Sequence, residues 1–347
     1  MTWWTPDTFA RNRPHLAKRS AILADVRRFF SGRGFVEVET PALQTSPGIE
    51  PHIQPFATEL REPFAQGART LYLHTSPEFA MKKLLVAGMP RIFQLARVFR
   101  NGERSDTHHP EFTMLEWYRS GADYRDLMTD CEDLLRSCAD AAGVAAFVRR
   151  GRRCDPGLPW RFLTVAEAFR SLADIDLLAT VADPDDPDPP PAALAAEARR
   201  IGVSCADGDR WEDIFFRIAL DRIEPLLGDG APTILHDYPA CMAALSRRKP
   251  GDARVAERFE LYVCGVELAN AFSELTDPVE QRRRFAVDTA LRERLYGGRL
   301  PVDEDFLSAL AFGLPASAGI ALGFDRLVML AAGVETIEEV LWAPVAE

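Results

Sequence analysis

Three stretches of the sequence hold side chains whose types and spacing suit chemistry. In the first, Arg100 closes one alternating apolar run, and Glu116 and Tyr118 lie in the next, across the polar loop NGERSDTHHP. Residues two apart in a strand share a face, so Glu116 and Tyr118 project together with Phe112 and Met114 behind them. A guanidinium, a carboxylate and a phenol over one antiparallel sheet make a polar floor for a charged small molecule. A solvated sheet face with an ordinary ion pair reads the same way, and such pairs are common and weak.

The second stretch is RFELYVCGVELANAFSEL, 258–275. If its two-residue turn is Val263-Cys264, Glu260 and Glu267 face each other, and opposed like charges destabilise a sheet. A cation, a raised pKa or solvent on both sides would compensate. Two carboxylates beside a phosphate-bearing substrate are a usual perch for Mg²⁺. A turn centred on Cys264-Gly265 would instead oppose Glu260 with Ala269 and remove that argument. Asn270, Phe272 and Glu274 alternate on one face, and Glu78, Glu116 and Glu274 together suit a substrate carrying ammonium groups. The third stretch, GIALGFDR, has glycines (Gly319, Gly323) that let backbone approach a flat ligand, with Arg326 on the first turn of the next helix. A tight strand–helix junction accounts for it equally well.

Several elements must position these groups. Apolar spacing predicts a helix over 16–31, stopped by Gly32 and Gly34, then a strand over 35–40 ended by Pro41. Ser76 reads as an N-cap, Pro77 as the first helical residue and Glu78 as the first-turn acid. Residues 91–100 and 111–119 read as a long-looped antiparallel hairpin. Residues 1–14 are expected to be an irregular lead-in to one catalytic domain over 15–347. Residues 183–191 (DPDDPDPPP) are expected to be an exposed connection before a short Ala-rich helix. Antiparallel strands with helices between them predict an α+β fold. Neither Gly-x-Gly-x-x-Gly nor Gly-x-x-x-x-Gly-Lys occurs, so a nucleotide needs another holding device.

Composition narrows the function. The 347 residues are 47% hydrophobic with net charge −11, the wrong sign for wholesale gripping of nucleic-acid phosphate. Six cysteines without a C-x-x-C pair argue for free thiols, and adjacent His108 and His109 make a poor metal motif. No run approaches the roughly 20 apolar residues of a membrane span, and no signal-peptide core opens the chain. A soluble, cytoplasmic protein is expected.

Taken in order, the segments resemble the three signature motifs of the class II aminoacyl-tRNA synthetases. KRSAILADVRRFFSGRGFVEVETP is similar to motif 1, FRNGERSDTHHPEFTMLEWY to motif 2 and ALGFDRLVML to motif 3. TSPEF, HHPEFTMLEWY and ERFELYVCGVELANAFSEL resemble the lysyl enzymes. Motif 1 begins almost at once, leaving no room for an anticodon-reading OB-fold, and Ala321 stands where the lysyl-tRNA synthetases have glycine. Both features resemble the elongation factor P–(R)-β-lysine ligases, a branch that loads a protein instead of tRNA. The resemblance implies ATP and Mg²⁺, a homodimer through motif 1, (R)-β-lysine and elongation factor P as substrates, and neither tRNA nor membrane as partner.

The same resemblance implies residue roles. Arg100 would bind the α-phosphate and the substrate carboxylate, with Asn101 beside it, and Arg326 the γ-phosphate. Gly323 would let adenosine lie against the strand, with Leu261 nearby. Glu260 and Glu267 would carry Mg²⁺. Ser76, Pro77, Glu78, Glu116, Tyr118, Glu267, Asn270, Phe272, Glu274 and Ala321 would form the amino-acid pocket. Gly102 replaces a usual glutamate, passing adenine recognition to Glu103; His109 replaces an asparagine and Ala271 a glycine. A lysine-activating enzyme with another acceptor, or a non-catalytic amino-acid-binding paralogue, would share most of this text.

Overall fold

A computed structural model describes residues 3–64, 67–243 and 245–345. The first helix, α1 (Pro6–Gly32), begins well before residue 16. Pro6 opens it with a preset φ, and Asp7 adds a first-turn acid. Most of the expected irregular lead-in is therefore helix; Met1 and Thr2 lie outside the described residues. None of its first ten positions is buried and they carry no apolar period, whereas Leu16, Ile22, Val26, Phe29 and Phe30 are buried. Gly34, at φ +78°, takes the chain out of the helix.

The expected strand over 35–40 shortens to β1 (Val36–Glu37). The small strands β2 (Leu43–Gln44), β3 (Phe56–Leu60) and β4 (Arg69–Leu73) form a separate sheet. Helix α2 (Glu78–Val86) starts one residue later than predicted, with Pro77 outside it as the cap residue. Ser76 still does the capping work, its Oγ accepting the Glu78 N–H at 3.0 Å. The predicted hairpin forms as β5 (Arg91–Phe99) and β6 (Glu111–Ser120), antiparallel over nine residue pairs.

Next come α3 (Tyr124–Ala141), the hairpin β7 (Phe147–Arg149) and β8 (Arg152–Cys154), and β9 (Arg161–Thr164). A helical insert holds α4 (Val165–Ala173), α5 (Ala192–Arg200) and α6 (Trp211–Ile218). The sheet resumes with β10 (Thr233–Pro239), β11 (Arg248–Lys249), β12 (Asp252–Val263) and β13 (Val266–Ser273). After α7 (Pro278–Tyr296) and α8 (Glu304–Gly313), the pair β14 (Ser317–Gly323) and α9 (Phe324–Ala332) completes the elements used below.

The main sheet runs β1-β5-β6-β14-β13-β12-β10-β9, with β11 added on β12. Its edge pairs, β1–β5 and β9–β10, are parallel and its centre is antiparallel. That is an α+β fold. One face buries Phe93, Trp117, Phe259 and Ile320 against Phe30 of α1, Leu134 of α3 and Val328 of α9. A second core, around Trp211, Phe215 and Tyr238, joins the insert to the β10 end. The other face of the antiparallel centre is left to the site. The 183–191 connection is tied down through Asp185 to Arg248 and through Asp188 to Arg210 and Arg294, at 3.8 and 3.6 Å.

Candidate active site

The uncovered sheet face floors a cavity of about 1070 Å³. Its register is set by the β12–β13 hairpin, and here one expectation falls. Val263 pairs with Val266, so the turn is Cys264-Gly265, at φ +52° and +71°. Both left-handed residues match the twist of flanking strands. A bulge then skips Leu268: Tyr262 opposes Glu267, and Glu260 opposes Asn270. Glu260 and Glu267 are not cross-strand partners, nor does Glu260 oppose Ala269. They interact all the same. Glu267 reaches into the cavity, yet its enclosure and the Glu260 charge push its carboxyl up, in that order. Glu224, outside the motifs, is raised to about 7 by burial, then by Glu260 and Glu267.

Glu260 is held from behind. Arg258 donates to one carboxylate oxygen at 2.7 Å and the Tyr262 hydroxyl to the other at 2.8 Å. Arg258 also donates to Asn270 Oδ1 at 3.2 Å and to the Met242 carbonyl at 2.8 Å. Among the described residues no three His, Cys, Asp or Glu side chains form a ready cation cage. Mg²⁺ does not need one, since one or two carboxylates with substrate phosphates and water suffice. Glu267, whose proton affinity is raised by burial and then by the neighbouring Glu260 charge, is a fitting donor on the cavity wall.

Near Glu267 the wall is cationic. Arg326, at the start of α9, donates to the Glu267 carbonyl at 2.7 Å and to the Thr107 carbonyl at 3.2 Å, and meets His108 Nε2 at 2.8 Å. Burial, then the charge of Arg326, lowers the His108 pKa, so its imidazole is neutral near pH 7. Arg100 lies over the Phe112 ring, 5.3 Å from its centroid, with Glu103 at 4.0 Å.

At the opposite end the wall is anionic. Glu116, buried, accepts Ser76 Oγ at 2.5 Å and the Tyr118 hydroxyl at 3.0 Å. Burial, followed by the Glu78 charge, raises its carboxyl to about 8. Lys82 stands between Glu78 and Glu274, 2.5 Å from an oxygen of each. Burial still raises Glu274 to about 7. Gly319 makes this packing possible: a Cβ there would lie 2.1 Å from Tyr118 Cε1 and 2.5 Å from Glu274 Oε1.

Residues 9–347 match the family model for class II tRNA synthetases (D, K and N). The chain belongs to that family. It is 41% identical to a Haemophilus ducreyi protein named elongation factor P–(R)-β-lysine ligase, over 94% of this chain and 92% of the relative. Proteins of the same name from Histophilus somni (40% identical, covering 97% and 96%) and Salmonella paratyphi B (41%, covering 94% and 94%) are similar over comparable lengths. As a class II synthetase relative, the protein is an ATP-dependent amino-acid ligase.

The three synthetase motifs meet through one buried ion pair. Arg19 of α1 binds Asp325 beside Arg326, and donates to Thr113 Oγ1 of β6 at 3.0 Å and to the Val340 carbonyl at 3.2 Å. Asp325 also accepts the Thr113 N–H at 2.7 Å. The predicted residues Ser76, Glu78, Arg100, Glu103, His109, Glu116, Tyr118, Glu267, Asn270, Phe272, Ala321, Gly323 and Arg326 all reach the cavity wall. Pro77, Asn101, Gly102, Glu260, Leu261 and Glu274 do not. Leu261 faces the opposite side of the sheet, in the core. His109 is tied down at both ring nitrogens, to the Glu111 carbonyl at 2.6 Å and the Val345 N–H at 3.1 Å, so it anchors Val345 to motif 2.

Sequence reasoning missed Lys82, Arg258, Glu224 and the acid wall formed by Glu50, Glu212 and Asp288. Only Lys82 carried a readable signal, lying four residues after Glu78 on one helix.

Proposed function

We propose that this synthetase relative activates (R)-β-lysine with ATP and transfers it to the ε-amino group of a lysine on elongation factor P. One observation carries the reading: the cavity is cationic at one end and anionic at the other. From Glu267 to Glu274 there are seven residue steps, roughly 23 Å at about 3.3 Å per residue. Such a span suits an ATP phosphate chain laid end to end with an extended diamino acid. The names of the similar proteins supply the acceptor and the isomer.

In this reading Arg326 and Arg100 hold the γ- and α-phosphates, with Asn101 beside Arg100. Gly323 offers backbone to adenosine, and Glu103, next to Gly102, edges the adenine site. Glu78, Glu116 and Tyr118 take the two ammonium groups with the Glu274 charge behind them, while Ser76, set by Pro77 next to it, and Asn270 and Phe272 shape the walls. The substrate carboxylate attacks the α-phosphorus in line, giving an acyl-adenylate and pyrophosphate. The acceptor amine then attacks the acyl carbon, forming an amide and releasing AMP. Prepositioned guanidinium groups stabilise charge moving onto phosphate, so alignment and electrostatics dominate. Mg²⁺ held by Glu267, with the Glu260 charge behind it, would neutralise phosphate charge.

Ala321 lies on the cavity wall, paired across the sheet with Glu116 and Asn270. Its methyl fills space that glycine would leave to an α-amine, favouring the β isomer. The enzyme is further read as a cytoplasmic homodimer through α1 and β1, with no use for tRNA; among the described residues no helix is long and apolar enough to cross a membrane.

The test is ATP–pyrophosphate exchange with each lysine isomer, then mass analysis of elongation factor P incubated with enzyme, ATP and the better isomer. A mass gain of one lysyl residue on one factor lysine is expected. Exchange without any gain on the factor would transfer the reading to another acceptor; no exchange with either isomer would end it.

A further inference from the structure

Lys82 is 1% exposed, and its ammonium touches two carboxylates supplied by different elements, Glu78 on the cavity wall and Glu274 behind it. Glu78 lies one turn earlier on α2, at 2.5 Å, and Glu274 follows β13, also at 2.5 Å. The remaining approach is apolar, with the Phe306 ring 6.0 Å away. Glu274 is closed off on its far side by Gly319 and Tyr118. Glu116 and the Tyr118 hydroxyl, from β6, are the other titratable groups of this end. Glu50 stands on the same wall and feels Glu78, Arg100 and Lys82.

The charges can be counted. Once bound ammonium groups draw the protons off the raised Glu116 and Glu274 carboxyls, Glu78, Glu116 and Glu274 carry three negative charges, and Lys82 returns one positive charge. The remainder is −2, and a diamino acid arrives with two ammonium groups. Without Lys82, three carboxylates would crowd one enclosed space, and like charges at such range hold one another protonated.

We propose that Lys82 is a specificity-determining positioning residue: a built-in third ammonium that holds Glu78 and Glu274 in place and leaves the pocket charge for two substrate ammonium groups. This rests on the reading of Glu78, Glu116 and Glu274 as the amine-binding end. Lys82 touches neither ATP nor the reacting carboxylate, so its removal acts on amino-acid affinity. The proton affinities agree: Lys82 is held charged by its two partners against the cost of burial, while the buried Glu116 and Glu274 carboxyls stay raised.

The experiment is ATP–pyrophosphate exchange with (R)-β-lysine on wild type, Lys82→Met, Lys82→Arg and Lys82→Ala between pH 6.5 and 8.5. In Lys82→Met the KM for (R)-β-lysine should rise about tenfold or more at pH 6.5 and recover towards wild type by pH 8.5, while the KM for ATP stays within about twofold. The reason is that the freed carboxylates need higher pH to ionise. Lys82→Arg keeps the cation, so its acid limb should stay at the wild-type position even if bulk raises KM. Millimolar n-butylammonium should lower the KM of Lys82→Ala by refilling the space. A KM unchanged in Lys82→Met, or raised equally at every pH and unmoved by the amine in Lys82→Ala, would show a merely structural lysine and overturn the proposal. Should Lys82→Met not fold, the Lys82→Arg profile decides: an acid limb shifted upward despite the retained charge overturns it. Failure of wild type to exchange with any diamino acid would overturn the proposed function, and this inference with it.

Discussion

Replacing Gly319 by alanine tests the site reading at one methyl group. The added Cβ would sit 2.1 and 2.3 Å from Tyr118 Cε1 and Cδ1, and 2.5 Å from Glu274 Oε1. Neither neighbour has room to yield: Tyr118 is 3% exposed with its hydroxyl on Glu116, and Glu274 is 2% exposed with Lys82 against it. Forcing a methyl into a packed interior costs about 1–3 kcal/mol. If the strain is relieved by moving the ring and carboxylate off their substrate positions, the loss appears as about 5- to 150-fold in KM for the diamino acid. Exchange kinetics at saturating ATP measure it, with thermal unfolding to report any loss of fold. Gly323→Ala is the control on the same strand. There the nearest atom is the Arg326 Cδ at 3.3 Å, on a side chain that can swing, so a smaller effect on the ATP side is expected. A Gly319→Ala enzyme that binds the amino acid as wild type does, or loses ATP affinity equally, would refute the placement of the amine end.

The carboxyls of Glu116 (about 8), Glu274, Glu224 and Asp288 (each about 7) are raised chiefly by burial, so their contribution to stability is complete below the ordinary carboxylate pKa and lost as pH rises through 7–8. The ligand-free melting temperature should accordingly fall between pH 5 and 8.5, and saturating diamino acid should flatten the fall; a rise over that range would contradict the burial argument. Arg326→Ala should slow exchange by about 10²–10³-fold, since one preorganised charge donor is removed; a tenfold loss or less would take the γ-phosphate away from it. Ala321→Gly should shift the β-lysine to α-lysine ratio by no more than about 1–3 kcal/mol, read as relative kcat/KM in exchange. An unchanged ratio ends the isomer argument. Glu267→Gln should raise the Mg²⁺ concentration needed for half-maximal exchange, and an unaltered requirement would remove Glu267 as a holder.

What the sequence showed follows from how local each feature is. The β5–β6 hairpin and the placing of Glu116 beside Tyr118 rest on a two-residue period that no distant contact disturbs. The first turns of α1 were unreadable because a solvated helix segment has no apolar stripe to report it. The Glu260–Glu267 pairing failed on two backbone details: a left-handed Cys264, which no residue preference favours, and a bulge at Leu268. The Lys82–Glu78 pair could be read from spacing along one helix. Its second partner, Glu274, lies 192 residues away and is brought there only by the packing of α2 over the sheet. Arg258 likewise gathers Glu260, Asn270 and Met242, residues that share no sequence pattern with it.

That division has a physical consequence for how the site stays open. Arg326, on the Glu267 carbonyl, and the buried Glu116–Glu274 end lie at opposite ends of β13, and each has its own local partners. Arg326 finds the carbonyls of Glu267 and Thr107 and a neutral His108. At the far end Lys82 takes two carboxylates, and Ser76 and Tyr118 donate to Glu116. Local compensation holds both ends in place, and only a ligand that is anionic at one end and cationic at the other engages them together. An acidic chain can thus still bind a triphosphate, because the guanidinium groups act at short range while the net charge of −11 is spread over the whole molecule.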